Sequence, residues 1–275
     1  MSVPIRRTFT PPPAELRPWV ERFWSWESDC AVPLPLLLPG TGADLFLHYR
    51  TPFLAITPDG TCLRPAAAHL TCLRSHPCRL VAQGPIGFVA VRFRTSAIRH
   101  FGKLGLPDLL DRFPDAIEHF GPEAAELPGR LAALPDLSKR AAQLARFLLH
   151  QLGRKASTNT LADRATEALY YGEPDLSIAD LADELGYSCR QLERAVGEAT
   201  GLTPKRFHRL TRFHHTVRHL LLARETDYLD AALARGYYDQ AHFIHEFRAL
   251  AGQTPTQLLK PETFMSHFYN PRLPR

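Results

Sequence analysis

Two stretches in the C-terminal half repeat one pattern of apolar and polar positions. The first runs from Ser177 to Pro204 and the second from Asp227 to Pro255, and each holds two apolar helical stripes separated by a Gly-Tyr pair. Matching residues lie 50 positions apart up to the Gly-Tyr pairs and 51 apart after them, so the second turn carries one extra residue. Internal repetition of this kind indicates a repeated structural unit.

The turn residues of the first copy predict two helices joined by a tight turn. An apolar stripe that includes Leu181 and Leu185 ends at Gly186, which suits the left-handed residue after a helix. Ser188, with Gln191 three positions later, forms a capping box that begins the next helix. This helix-turn-helix geometry is the one that places a second helix in the major groove of DNA.

The second copy predicts the same unit. Asp239 is the expected N-cap, and Phe243, Phe247 and Leu250 form the stripe that faces inward. A solvated face on an ordinary helix pair remains the alternative for either copy taken alone. Two copies with matching turns favour DNA recognition.

The outward positions of the two second helices are the candidate base-reading residues. Arg pairs with guanine, Gln with adenine, and Glu accepts from cytosine. In the first copy the DNA-contact candidates are Ser188, Arg190, Gln191, Glu193 and Arg194. In the second copy Gln240, His242, His245 and Glu246 are expected to face outward.

A basic helix is predicted between the copies, from Pro204 to Arg224. It holds six Lys or Arg, four His and no acidic residue, and it is long enough to span about 30 Å, near one turn of DNA. Its expected exposed side carries Lys205, Arg209 and Arg212 as phosphate contacts, beside His208, His215 and His219. Whether these histidines lie against DNA or bond within the domain is left open by the sequence.

The N-terminal half has short apolar runs separated by Pro and Gly turns, which predicts a small antiparallel β-sandwich or barrel. The predicted strands are Arg22–Glu27, Leu34–Leu38, Asp44–Tyr49, Phe53–Ile56, Leu70–Leu73, Arg79–Ala82 and Ile86–Phe93. After Thr95 the pattern becomes helical. The predicted helices are Ser96–Phe101, Leu109–Phe113, Glu123–Leu134, Leu137–Leu152 and Asn159–Tyr171.

The run GYYDQAHFIHEFRALAGQTP, with the two repeated units and the basic helix between them, resembles the DNA-binding domain of AraC-type bacterial transcriptional regulators. The resemblance covers 157–260, and it departs from the family at Val196-Gly197, where a Phe and a basic residue are common. The runs RPWVERFW, LPGTGADL and VRFR more loosely resemble the β-rich sensor domains of some such regulators. The resemblance implies double-stranded DNA as a partner, and RNA polymerase as another if the protein is an activator.

The expected fold is therefore α+β with two domains. Residues 1–153 form a β-rich sensor or dimerisation domain with a helical end, 158–260 an all-α tandem helix-turn-helix, and 261–275 a tail. The net charge is +5, yet acidic residues slightly outnumber basic ones between 157 and 260, so the basic footprint is confined to the connecting helix. Five cysteines, no apolar span and no secretory signal favour reduced thiols, a cytoplasmic location and no membrane.

Two groups in the N-terminal half are candidates for other chemistry. Cys72, His76 and Cys78 lie within seven residues, but their spacing is not that of a paired zinc motif, so no metal and no cofactor are expected. Trp24 and Trp26 share one face of a strand, where core packing is favoured over lining an effector pocket.

The leading interpretation is a sequence-specific DNA-binding regulator that responds to a small molecule and is not an enzyme, with a homodimer among the expected partners. One alternative is an enzyme or metal-dependent domain recruited to DNA by the C-terminal half. His48 and His69 look isolated in the sequence and offer no metal site. A second alternative is a constitutive DNA-binding dimer that has no effector.

Overall fold

The computed structural model describes residues 5–153, 160–173, 176–224 and 227–260. Within them, nine strands form two antiparallel sheets, and helices follow. The large sheet has the order β1-β2-β9-β4-β7, with β1 Arg6–Thr10, β2 Val20–Ser28, β9 Ile86–Phe93, β4 Ala43–His48 and β7 Ala68–Thr71. The small sheet has the order β3-β8-β5-β6, with β3 Leu36–Leu37, β8 Cys78–Val81, β5 Leu54–Ile56 and β6 Cys62–Leu63. The expected α+β architecture is confirmed.

The inner strands β4 and β9 of the large sheet are buried on both faces, which explains why they read as nearly continuous apolar runs. Alternate residues enter different clusters: Val89 and Val91 pack under the helices, while Phe88 and Ala90 face the small sheet. All seven predicted strands are present, most with shifted ends, whereas β1 and β6 were missed. The run RRTFT is a polar edge strand and β6 has only two residues, so neither carries an apolar signal.

The segment between the sheets and the DNA-binding half is built from short helices. Three 3₁₀ turns cover Ala97–His100, Pro107–Leu109 and Pro122–Glu126; α1 is Ala116–Phe120, α2 Leu127–Ala132 and α3 Leu137–Gly153. The helix predicted over Leu109–Phe113 is wrong, because only Leu109 belongs to a helical turn and Asp111 has φ +55°. The Asp111 carboxylate accepts bonds from the amide and hydroxyl of Ser75, at 2.7 and 2.6 Å, which holds this turn open.

The C-terminal helices follow in order. They are α4 Leu161–Tyr171, α5 Ile178–Leu185, α6 Cys189–Thr200, α7 Pro204–Ala223, α8 Leu229–Leu233, α9 Gln240–Ala251 and α10 Pro255–Leu258. The expected linker after Gly153, the Pro174 stop and the 261–275 tail lie outside the described residues. None of the described helices has the length and apolar character needed to span a bilayer.

The inner face of the large sheet carries side chains in cross-strand rows. The rows that face the small sheet are apolar and include Trp24 paired with Ala90, and Trp26 paired with Phe88. At the end of the sheet next to α7 the row becomes polar. This polar row consists of Arg22, Arg92, Asp44 and Thr71.

The polar row meets the C-terminal half, so the two halves share an interface that we call the seam. Arg92 donates to Asp44 at 2.6 Å, and Asp44, Tyr170 and Glu21 together raise the Arg92 pKa despite its burial. On the α7 side, the Thr41 and Thr211 hydroxyls lie 3.5 Å apart. A Cβ built on Gly40 would lie 2.9 Å from the His214 ring, so only glycine allows this approach.

Glu27 on β2 fastens α3 to the large sheet. Its carboxylate accepts from Arg140 of α3 at 2.7 Å, and also from Tyr49 and Arg6. The Arg140 guanidinium lies 3.8 Å over the Tyr49 ring. Although burial opposes ionisation, the Tyr49, Arg140 and Arg6 bonds together lower the Glu27 pKa to about 2.

We expect Glu27→Gln to lower the free energy of unfolding by about 2–3 kcal/mol at pH 7. A carboxylate whose folded pKa is depressed stabilises the fold above its unfolded pKa and loses that contribution as pH falls through the folded value. The difference between parent and variant should therefore shrink between pH 5 and 2 when urea unfolding is followed. A difference that stays constant over this range would contradict the role of the charged carboxylate.

Candidate nucleic-acid interface

The first helix-turn-helix has the predicted capping geometry. Gly186 adopts φ +77° at the end of α5, and the Ser188 hydroxyl accepts from the Gln191 amide at 3.3 Å. In turn, the Gln191 side-chain oxygen accepts a hydrogen bond from the Ser188 amide at 2.9 Å. Leu192 and Val196, on the inner side of α6, are fully buried. The cap holds the Ser188 and Gln191 side chains, although both residues remain exposed.

The outer face of α6 is charged and open to solvent. Arg190, Glu193 and Arg194 are exposed. The Arg194 guanidinium lies 3.9 Å from Glu198, and both side chains are 74% exposed, so this pair leaves the arginine free to change partner. Their role in base recognition stays a prediction.

The extra residue of the second turn separates two tyrosines. Tyr237 is 3% exposed and packs against Phe243, whereas Tyr238 is 87% exposed. Asp239 then caps α9 by accepting from the His242 amide at 2.7 Å. The change in offset between the two copies predicts the extra residue but not which tyrosine projects into solvent.

The outward residues of α9 take different positions. Gln240 and His245 are exposed. His242 is half-buried, and its Nδ1 accepts from the Tyr238 amide at 3.3 Å, so the ring closes the turn. Base contacts by these three residues remain predicted.

The expectation that Glu246 faces outward is wrong. The residue is 4% exposed, and its carboxylate accepts from Arg209 Nε at 2.9 Å and Arg212 Nη2 at 3.0 Å. It lies beside Phe243 and Phe247 on the side of α9 that faces α7, where two guanidinium groups compensate its burial. No local pattern in α9 reveals partners that lie 34 and 37 positions earlier in the chain.

This Glu246 clamp changes the view of the basic helix. Arg212 has an 18% exposed side chain, donates to the Gly236 carbonyl at 3.2 Å and lies 4.4 Å over the Tyr237 ring. It therefore holds the second unit against α7, which argues against its predicted phosphate contact. Lys205 is exposed and Arg209 keeps 45% side-chain exposure, so their predicted phosphate contacts stand untested.

α7 is enclosed on more sides than its sequence pattern predicts. It packs against α4, α6 and α8, and buries Thr211 and His214 at the seam. The His215 Nε2 lies 3.0 Å from the Tyr170 carbonyl of α4, and burial together with the Arg212 cation lowers the His208 pKa. His208 also bonds to the backbone of Glu173, so both histidines bond within the domain, whereas His219 is exposed.

The tryptophan and cysteine candidates of the N-terminal half do not form one site. Trp24 and Trp26 are 2% and 1% exposed within the cluster between the sheets. Cys72 enters the cluster under the helices, whereas Cys78 enters the one between the sheets, 4.0 Å from His76 Nδ1. Among the described residues, no three His, Cys, Asp or Glu side chains are arranged to hold a metal ion.

The view of His48 and His69 as isolated residues is wrong. β4 and β7 pair so that the two rings stack 5.3 Å apart, between the sheets. Strand register sets this neighbourhood, and register was the information missing from the sequence. We call His48, His69, Phe46, Phe53 and Phe88 the aromatic box. The ring centroids of the contacting pairs lie between 4.7 and 6.4 Å apart.

We expect Glu246→Gln to lower the free energy of unfolding by about 1–3 kcal/mol, because two partly buried guanidinium groups lose their counter-charge. Glu198→Gln is the matched control: its carboxylate is exposed, so the change should stay within about 0.5 kcal/mol. Equal effects in urea unfolding would show that the Glu246 clamp is not structural.

The comparisons with known proteins come from both halves of the chain. Residues 181–261 match a family model described as a helix-turn-helix domain. Residues 8–115 match one described as a domain of unknown function, DUF6597. No curated protein matches the chain.

Solved structures of ToxT from Vibrio cholerae are similar along nearly the whole chain. One covers 94% of this chain and 98% of its own, at 10% identity and a TM-score of 0.51. ToxT bound to an unsaturated fatty acid covers 94% and 95%, at 10% identity and a TM-score of 0.48. ToxT bound to (E)-4-(8-methylnaphthalen-1-yl)but-3-enoic acid covers 94% and 98%, at 10% identity and 0.49.

At this identity the first ToxT structure shows a shared fold, a β-rich N-terminal domain followed by the helical DNA-binding domain. The helix-turn-helix match, the two capped units and the residues that resemble the AraC signature all fall in the C-terminal half. The C-terminal half carries an AraC-type helix-turn-helix domain, and the chain is a DNA-binding transcriptional regulator.

Proposed function

We propose that this regulator reads two successive major grooves with α6 and α9 and changes its DNA affinity when a small molecule binds between the sheets of its N-terminal half. The observation that supports DNA reading most directly is the pair of capped helices, α6 and α9, each with exposed polar residues and each packed against α7. Twenty residues of α7 extend about 30 Å, close to one turn of DNA. Domain limits of 1–153 and 158–260 are part of this proposal.

The two units divide the work of recognition in this proposal. Arg190 and Arg194 contact bases, because they are exposed on α6 without a buried carboxylate to hold them. Lys205 and Arg209 contact phosphates, which positions the protein without reading sequence. RNA polymerase for an activator, a second copy of the chain and a cytoplasmic site of action are finer proposals that follow from DNA as the partner.

The aromatic box is our proposed effector site. His48 is 3% exposed and His69 is 0% exposed, and burial lowers the pKa of both, that of His69 to about 4. The His69 Nδ1 bonds to the Ala66 carbonyl at 2.9 Å. Within the part of the chain that the structure describes, both His48 nitrogens and the His69 Nε2 have no hydrogen-bond partner.

Buried nitrogens without partners cost free energy that a bound polar group would recover. A neutral imidazole donates one hydrogen bond and accepts another, so the matching ligand group does both. A hydroxyl, an amide or a protonated carboxylic acid on a small apolar body fits this chemistry and the surrounding rings.

The seam supplies a route from this box to DNA. His69 is the row neighbour of Phe46 on the face that also carries Asp44, and the Asp44–Arg92 pair lies against the helices of the C-terminal half. A shift of β4 on ligand binding would change how the polar row meets α7, which carries both reading helices. We also propose that the protein acts by this change in DNA affinity and not as an enzyme.

The first test separates base from phosphate contacts. We expect Arg194→Ala to weaken binding to the selected site by about 1–3 kcal/mol and to relax sequence preference there. Lys205→Ala should weaken binding to every sequence alike and reduce the salt slope by about one unit. Affinities on the selected duplex and a scrambled duplex, measured from 50 to 200 mM salt, provide both readouts. Equal losses on both duplexes for both variants would sink this division.

The second test concerns the effector. A panel of small alcohols, amides and carboxylic acids is screened by thermal unfolding of the full chain, and a true ligand at a hundredfold excess over Kd should stabilise it by about 2.7 kcal/mol. His69→Leu should abolish the shift, whereas His219→Leu, on the exposed side of α7, should retain it. A shift that survives His69→Leu places the ligand elsewhere. No shift with any compound favours a constitutive DNA-binding protein.

A further inference from the structure

The reading faces of α6 and α9 differ in chemistry at matched positions. With the 51-residue spacing, Arg190 corresponds to Ala241, Glu193 to Ile244, and Arg194 to His245. The first unit therefore presents three charged groups, and the second presents two apolar side chains and an imidazole. Of the α9 residues named here, Ala241 and His245 are exposed and Ile244 is partly exposed.

Two polar side chains of α9, those of Glu246 and His242, make hydrogen bonds within the protein. The Glu246 carboxylate is held by Arg209 and Arg212 against α7. The His242 ring accepts a hydrogen bond from the Tyr238 amide within the turn. Gln240, His245 and Arg248 remain exposed beside the apolar positions.

Tyr238 adds to the apolar surface because of the extra residue in the turn. Tyr237 occupies the buried place beneath Arg212, so the inserted Tyr238 projects immediately before the Asp239 cap, 87% exposed. In the first turn the cap Ser188 directly follows Tyr187, so no second tyrosine stands there. The apolar reading face is defined as Tyr238, Ala241 and Ile244.

We propose that the apolar reading face recognises thymine methyl groups, so that the half-site bound by the second unit is rich in A·T pairs. Thymine alone among the four bases presents a methyl group in the major groove, and apolar side chains discriminate by contacting it. The inference rests on the proposed DNA-reading function and adds the base class that α9 selects. His245 and Gln240 supply hydrogen bonds to the adjacent adenine edges.

The test uses the full chain and duplexes it selects from a random-sequence pool. Each thymine of a selected duplex is replaced in turn by deoxyuridine, which lacks only the 5-methyl group. Arg194→Ala identifies the half-site of the first unit, since its preference is lost there. In the other half-site we expect one or more substitutions to weaken binding about three- to fivefold, the effect of one buried methyl group.

Protein variants connect the lost methyl to the apolar reading face. Tyr238→Ala is safe for folding because the side chain is exposed, and Ile244→Ala provides the second variant. In at least one of them the deoxyuridine penalty should fall to less than twofold. Tyr187→Ala, in the turn of the first unit, should keep the full penalty.

The outcomes separate this inference from the proposed function. Deoxyuridine tolerated at every thymine of the second half-site, or a penalty unchanged in both Tyr238→Ala and Ile244→Ala, overturns thymine recognition while leaving DNA reading intact. A second half-site without thymine does the same. Failure to select any duplex above the random pool overturns the proposed function and this inference together.

Discussion

The largely buried ion pair between Arg92 and Asp44 is the constraint on which the arrangement of the two halves depends. The large sheet extends past the small sheet, and the polar row of its uncovered end would meet water if the helices were absent. Buried charges are tolerated only when paired and hydrogen-bonded. The polar row therefore requires polar partners, which Thr211 and His214 of α7 and Tyr170 of α4 provide.

α7 is consequently a shared element of the whole molecule. Phe213 packs against Phe247 of the second unit with ring centroids 5.4 Å apart, while Thr211 and His214 face the seam. Arg209 and Arg212 hold α9 from a third side. A helix constrained on so many sides moves as a rigid body or not at all, since packed interiors resist continuous deformation.

Local signals in the sequence predicted the features that depend on neighbouring residues. Gly186, Ser188 and Gln191 act within one turn, so their left-handed and capping roles could be inferred directly and are present in the structure. Glu246 could not be placed, because its partners come from another helix. The His48–His69 pair depends on strand register, and the apolar runs of the large sheet did not show that both of its faces are covered. Trp24 and Trp26 were placed in the core on strand alternation alone, and the structure buries both.

Tyr238, the single residue between Tyr237 and Asp239, makes the second helix-turn-helix unit different from the first. Two units would fit a site equally well in either direction only if a two-fold axis related them. Here the two turns differ by one residue and the two reading faces carry different chemistry, so a bound monomer has a front and a rear. In the proposed mode of DNA reading, the site of one chain is therefore an oriented sequence. In that mode the N-terminal half lies on a fixed side of the site, so the orientation of the site sets which flanking DNA it faces.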